Sequence, residues 1–369
     1  MRISPGPLLR RAVVGCSALA ALSAPALAAV SAPAVAATTA GPAAEAEGLA
    51  FTQRYHALQH GGIVRAANSS ISCGDATKAA CSAARRGGRG ANGDFDMRYI
   101  DVDDDPNTYN SSRAEVRLPQ GARVSYARLY WGGNLRVGEQ KPPKDNGRVL
   151  ISEPGGRYKE LLADRVIGHR VAHGAEAFQA SADVTPLVRS GGAGLWTVAQ
   201  INVAKGRTAA GAWGGWTLVV AYEKKSEPLR HLSVWDGFGP LGPGAERTVT
   251  LGRMSLPATV KGRVGLVAYD GDRGRTGDSL ALRTGSGRWT VLGDAANPRD
   301  DALNSTISEP GRGAAKRVPA YSNTLGYDSD VLELGKGIRS GGDQLAFRIV
   351  SHRDAAWVGA LFAAVDAKQ

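Results

Sequence analysis

Apolar and polar residues alternate, with β-branched and aromatic side chains at many apolar positions, over residues 123–131, 148–152, 178–184, 194–203, 216–223 and 229–235. The same texture returns over 247–254, 260–269, 288–292, 343–351 and 356–365, and each of these runs is predicted as a strand. In WTLVVAYE, Trp216, Leu218, Val220 and Tyr222 share one face and Val219 and Ala221 the other. Both faces are apolar, which predicts a central strand of a sandwich. The last run, AAWVGALFAAV, carries enough alanine to pass for a helix, but the preceding LAFRIVSHRD offers it a hairpin partner, so it is predicted as a strand. Residues 94–133 combine a carboxylate-rich turn, an Asn-Ser-Ser corner and two apolar strands separated by Pro119-Gln120-Gly121, the pattern of a sandwich edge.

Composition agrees with short strands. The 369 residues include 48 glycines and 18 prolines, which punctuate the chain too often for long helices, while 43% hydrophobic residues suffice for a large core. The expected class is all-β, as two tandem antiparallel β-sandwiches of jelly-roll-like form. The segment GFGPLGPG, Gly237 to Gly244, reads as the hinge between a first domain at 51–236 and a second at 245–369.

The N-terminus reads as a signal peptide over 1–28: Arg2, Arg10 and Arg11 precede an apolar run too short to span a bilayer, and Ala26-Leu27-Ala28 is a small-x-small cleavage site. Ala34-Val35-Ala36 offers a second site. Arg10-Arg11 matches the twin-arginine pattern only loosely, so the general export route is favoured. Residues 29–50 read as a flexible, alanine-rich leader. Cys16 leaves with the signal peptide, so Cys73 and Cys81 are the two cysteines of an exported chain and are expected to form a local disulfide. Their spacing does not suit a zinc knuckle. No later stretch reaches membrane-spanning length.

Several blocks then carry a resemblance: FTQRYHALQHGGIVRAANSSISC, YIDVDDDPNTYNSSRAEVRLPQGARVSYARLYWGG, ADVTPLV, GGWTLVVAYE with PLRHLSVWDGF, YDGDRGRTGDSLAL, and NSTIS with LGYDSDV. In this order they are similar to an uncharacterised module found at the N-terminus of exported actinobacterial and Gram-positive surface proteins that carry repeated β-sandwich domains. The resemblance implies an exported, β-rich, surface-associated module and implies nothing about catalysis.

Charge narrows the partners. A formal net charge of +11 falls to about +8 without the three signal-peptide arginines, a field that favours anionic polymers outside the cell. The basic loop Arg85-Arg86-Gly87-Gly88-Arg89-Gly90 lacks the interleaved aromatics of a nucleic-acid site and reads as solvated.

The best chemical signal is acidic. In IDVDDDPN, Asp101, Asp103 and Asp105 alternate onto one side of an extended segment before the Pro106-Asn107 turn, an oxygen-only set suited to Ca²⁺. A second cluster, Asp270, Asp272 and Asp278, is interleaved with Arg273 and Arg275, which can neutralise it instead. Trp213, Trp216 and Trp235 lie near glycine-rich turns and are candidate platforms for stacking a sugar ring. His169 and His173 in HRVAH would share a metal face only on a helix, and the surrounding pattern is strand-like, so they read as surface residues. Gly277-Asp278-Ser279-Leu280 matches the letters of a hydrolase motif without its downstream Asp-x-x-His. The expected function is therefore non-enzymatic binding of an anionic wall or extracellular polymer, with Ca²⁺ at Asp101, Asp103 and Asp105 as the candidate stabiliser. The alternatives are a lectin-like glycan binder or a secreted carbohydrate-active hydrolase whose acids are hidden from sequence inspection.

Overall fold

The strand that reads as apolar on both faces is central. Gly214–Glu223 pairs antiparallel with Arg123–Asn134 on one side and with the 21-residue strand Leu49–Ser69 on the other. Trp216, Leu218, Val220 and Tyr222 enter one apolar core, and Val219 and Ala221 enter another. The computed structural model describes residues 43–368 except 75–77, 312, 314, 336 and 337. The expected signal peptide, both cleavage sites and the leader up to residue 42 lie outside the described residues.

This strand belongs to a ten-stranded sheet, ordered Glu45–Ala46, Ile167–Ala172, Ala175–Asp183, Arg123–Asn134, Gly214–Glu223, Leu49–Ser69, Leu229–Leu241, Ala356–Asp366, Gly262–Tyr269, Tyr327–Glu333. The long strand joins its two halves: residues 61–69 pair with Gly214–Glu223 and residues 49–60 with Leu229–Leu241. The partner changes at Gly61, where a Cβ would lie 1.9 Å from the Tyr222 carbonyl oxygen, so only glycine fits.

The two halves pack face to face. Trp213, beside the first half, lies 6.3 Å from Trp357 and 5.7 Å from Tyr269 between ring centroids, both in the second half. Thr217 Oγ1 and Tyr327 Oη are 2.7 Å apart across the same boundary. Two further sheets cover the outer faces. A five-stranded sheet (Arg317–Val318, Ser111–Val116, Gly194–Ala199, Arg148–Ser152, Lys159–Leu162) covers the first half, burying Trp131, Trp196 and Trp216. A four-stranded sheet (Ala245–Leu251, Leu345–Ser351, Ser279–Thr284, Thr290–Val291) covers the second, burying Leu266, Leu361 and Phe347. The fold is all-β and sandwich-like, as expected, in four layers.

Four expectations are corrected. The two halves are not tandem modules at 51–236 and 245–369, because the ten-stranded sheet runs through both and the described residues form one compact unit. The expected hinge lies largely inside strand Leu229–Leu241. Two of its glycines mark close packing, since a Cβ on Gly237 would fall 2.6 Å from the Phe51 ring and one on Gly239 2.9 Å from the Arg247 guanidinium. The leader is structured from Glu45, because Glu45–Ala46 adds a parallel pair to Ile167 and Gly168 and Leu49 already belongs to the long strand. Ala356–Asp366 is a strand, but Leu345–Ser351 is not its hairpin partner. The two lie in different sheets and meet through the core, with Phe347 and Ile349 on one side and Val358 and Leu361 on the other.

Cys73 and Cys81 are joined in a disulfide, as expected, and both are buried with Ile71, Met97 and Leu325. Removing it is expected to cost about 2–3 kcal/mol in the loop-entropy model. Urea unfolding of Cys73→Ala/Cys81→Ala against the oxidised protein measures this, and an unchanged midpoint would show that the bridge adds nothing to stability.

Candidate functional site

Asp101, Asp103 and Asp105 do lie together, in the loop before Ser111–Val116. Their oxygens serve the loop itself. Asp101 Oδ1 accepts from Ser111 Oγ at 2.7 Å, and Asp103 Oδ1 accepts from the Asp105 amide and Thr108 Oγ1. Asp103 Oδ2 accepts from the Tyr158 hydroxyl. Asp105 Oδ1 takes both the amide and the side chain of Asn107. These donors, led by Tyr158, outweigh the effect of burial and hold the Asp103 carboxyl below its usual range. Among the described residues no three His, Cys, Asp or Glu side chains are placed to hold a metal ion.

The proposed tryptophan platform is corrected. Trp213 and Trp216 are fully buried, and Trp235 is half-buried against the core beneath the four-stranded sheet, with its Nε1 donating to Ser233 Oγ at 2.7 Å. The glycines around Trp213 and Trp216 open space for ring packing rather than for a ligand. His169 lies in strand Ile167–Ala172, as its pattern indicated, and its Nδ1 and Nε2 face Glu45 and Glu176 at 2.9 and 3.2 Å. His173 occupies the following turn at φ 50°.

The second acidic cluster is part of something larger. Asp270, Asp272 and Asp278 are buried, as are Asp301, Asp328, Asp330 and Asp354. Asp278 and Asp301 form a parallel bridge, and Asp330 Oδ1 collects the amide and hydroxyl of Ser308 and the hydroxyl of Thr306. Asp328 Oδ1 accepts from the Thr306 amide, and Asp270 Oδ1 from Asn92 Nδ2. One oxygen on each of Asp272, Asp278, Asp301, Asp328, Asp330 and Asp354 is buried without a hydrogen-bond partner.

Cations are few here. Arg275 does neutralise, as its position suggested, with Nε 3.2 Å from Asp272 and Nη1 3.7 Å from Asp354. Arg273 instead donates to the Ser322 carbonyl. Burial, followed by the neighbouring Asp354, pushes the Asp272 carboxyl up to about 7. Burial likewise raises Asp278 to about 6 and Asp330 to about 6, and carries Asp270 and Asp328 well above the carboxylate range. These groups hold protons where exposed aspartates would be ionised.

The consequence for the exterior is electrostatic. Adding Asp236, eight aspartates are buried among the described residues, against two arginines, Arg65 and Arg128, and no lysine. The surface is therefore more basic than the formal charge balance conveys.

One basic feature has a defined shape. On the four-stranded sheet, Leu280, Leu282, Leu345, Phe347 and Ile349 point into the core, so Ala281, Arg283, Ala346 and Arg348 point outward. The register sets Ala281 opposite both Arg348 and Val291, and Arg283 opposite Ala346. Trp289, one step before the Thr290–Leu282 pair, reaches the same face, where the guanidiniums of Arg283 and Arg348 each lie 4.7 Å from its ring. No sequence reading singled out these three residues. Their signal was the alternation of alanine with arginine in LALRT and LAFRI, where the outward positions of apolar strands carry charge.

The chain matches no protein-family model and no curated protein. Among solved structures it is similar to a chain in the atomic structure of Sulfolobus turreted icosahedral virus, at 9% identity and a TM-score of 0.21, covering 69% of this chain and 86% of that one. It is also similar to quercetin 2,3-dioxygenase from Acinetobacter baumannii, at 8% identity and a TM-score of 0.20, covering 87% of each chain. Neither likeness carries an argument about fold or function.

Proposed function

We propose that this chain is an exported binding module that docks onto an anionic wall or extracellular polymer and does not catalyse. The observation that supports it most is an imbalance of buried charge: among the described residues eight aspartates but only two arginines and no lysine are buried, which leaves a basic exterior able to attract a polyanion. The resemblance to surface-protein modules and the small-x-small sites support export. Retention on purified cell wall should weaken steeply as salt rises, because attraction between exposed charges is screened within a Debye length of about 8 Å at physiological ionic strength. Retention that ignores salt would overturn the electrostatic reading, and turnover of a glycan, lost on replacing one acid, would make the protein a hydrolase. N-terminal sequencing of secreted protein is expected to begin at Ala29 or Ala37; an intact Met1 would remove export.

Calcium enters this proposal only as a stabiliser. A cation at Asp101, Asp103 and Asp105 would have to replace the donors those carboxylates now accept from, and saturation at about a hundred times its dissociation constant would add about 2.7 kcal/mol. An equal melting temperature in chelator and in millimolar Ca²⁺ would remove it.

A further inference from the structure

The outer face of the four-stranded sheet forms a small grid. One row runs Thr248, Arg348, Ala281, Val291, and the next runs Thr250, Ala346, Arg283, with Trp289 continuing it. Thr248, Thr250 and Val291 are exposed, whereas Ala281 and Ala346, though they point outward, are only 1% and 2% exposed. Such small residues let long side chains lie flat across the sheet, and the cation–π contacts give that layer its order: both guanidiniums are held against the half-buried indole.

The charge on this face is unspent. Among the described residues no carboxylate lies within salt-bridge distance of Arg283 or Arg348, and the Nε of each is buried without a hydrogen-bond partner. Some arginines of the molecule are matched to carboxylates, as Arg54 is to Asp236 and Arg263 to Glu309, and others, such as Arg273, spend their donors on carbonyls. Two unmatched guanidiniums fixed on adjacent strands are complementary to an anion. Guanidinium recognises planar carboxylate through paired N–H donors, and an indole recognises the C–H face of a pyranose ring. Exposed Thr248 and Thr250 add hydroxyls beside the arginines for the ring's own hydroxyl groups.

Resting on the polyanion reading above, we infer that this face is the polymer-binding site and that it takes a carboxylate-bearing saccharide, a uronic acid unit, with Trp289 against the sugar and Arg283 and Arg348 on the carboxylate. Phosphate-rich polymers and polypeptide acids share the charge but offer no pyranose face to the indole.

Binding of the full secreted chain to polygalacturonate, neutral dextran and poly-glutamate, measured by calorimetry at fixed salt, tests this. The expected order is tight binding to polygalacturonate, weaker binding to poly-glutamate and none to dextran. Trp289→Ala and Arg283→Gln/Arg348→Gln should each weaken polygalacturonate binding by about tenfold or more, the range of an interface hot spot. Arg348→Lys keeps the charge and the stack but loses the paired donors, so it should also weaken binding while leaving the melting temperature unchanged. Equal binding to polygalacturonate and poly-glutamate, or wild-type affinity in folded Trp289→Ala, would overturn the saccharide assignment. Wild-type protein retained by cell wall, with all variants retained equally, would overturn this site alone. Wild-type protein retained by no polyanion would overturn the proposed function itself.

Discussion

Raising the pH from about 4 to about 8 is expected to destabilise the protein by several kcal/mol, with most of the loss between about pH 5 and 7. The cause is the buried acids. Burial raises the folded-state pKa of Asp278 from 3.8 to about 6 and that of Asp272 to about 7, so in this window the folded protein holds protons that the unfolded chain has released. Unfolding then releases protons, and its free energy falls as pH rises. The stability these groups confer is complete below their unfolded pKa and is lost as pH passes through the folded one. For Asp278 alone the shift corresponds to about 3 kcal/mol, reduced to about 2 by solvent screening. His56 and His231, whose pKa values burial lowers, oppose the trend by adding stability as pH rises up to their unfolded value, and Glu115, Glu139 and Glu153, held low by hydrogen bonds, oppose it at the acid end. Asp103 and Asp164, held low by hydrogen bonds and Arg128, titrate below the window. Asp278→Asn is therefore expected to raise stability by about 1–2 kcal/mol at about pH 8 and to change little at about pH 4. Calorimetric melting across this range checks both, and a melting temperature that climbs steadily from acid to alkaline pH would refute the protonated-acid account.

Replacing Gln179 with leucine should lower stability by about 3–5 kcal/mol and do so across the whole molecule in one transition. Gln179, in the strand Ala175–Asp183, is 3% exposed and spans the two halves of the ten-stranded sheet. Its Nε2 donates to the carbonyls of Gly237 and Gly359 at 3.0 and 2.9 Å, and its Oε1 accepts from the Tyr269 hydroxyl at 3.0 Å. Leucine would leave three buried polar groups unsatisfied at the seam, each costing about 1–3 kcal/mol. Gly359 belongs to the same device, since a Cβ there would fall 1.8 Å from Gln179 Oε1. Because the seam is also filled by Trp213, Phe238, Tyr269, Tyr327 and Trp357, separate halves would expose that aromatic core. Wild type and Gln179→Leu should each melt in one step. Two resolved transitions, or independently folded fragments divided within 237–244, would mean that the seam does not couple the halves.

Much of the fold was legible in the chain because short-range patterning carries it. The runs at 123–131, 148–152, 216–223, 229–235 and 356–365 are strands in the structure, since alternation and β-branched content report which faces a strand buries. The strand Leu49–Ser69 escaped because Arg54, His56, Gln59 and His60 break its apolar pattern where it is half exposed. The local disulfide was readable from spacing, as Cys73 and Cys81 lie eight positions apart in the chain. The three-carboxylate loop was located correctly, but the donors that occupy its oxygens include Tyr158, 55 residues away, which no local pattern announces.

What the sequence determined by itself was the all-β class, the doubly buried central strand and the excess of basic charge, all of which follow from residue type and spacing along one segment. What only the tertiary structure decided was which segments meet. Gly237 and Gly239, which read as part of a hinge, became points of close contact, Trp213 and Trp216 were buried by a second sheet half and a covering sheet, and aspartates from separate segments were gathered into an interior where burial raises their pKa values. Arg348 joined Arg283 and Trp289 only through strand register, because pairing brings it beside residues 65 and 59 positions away that sequence proximity cannot associate.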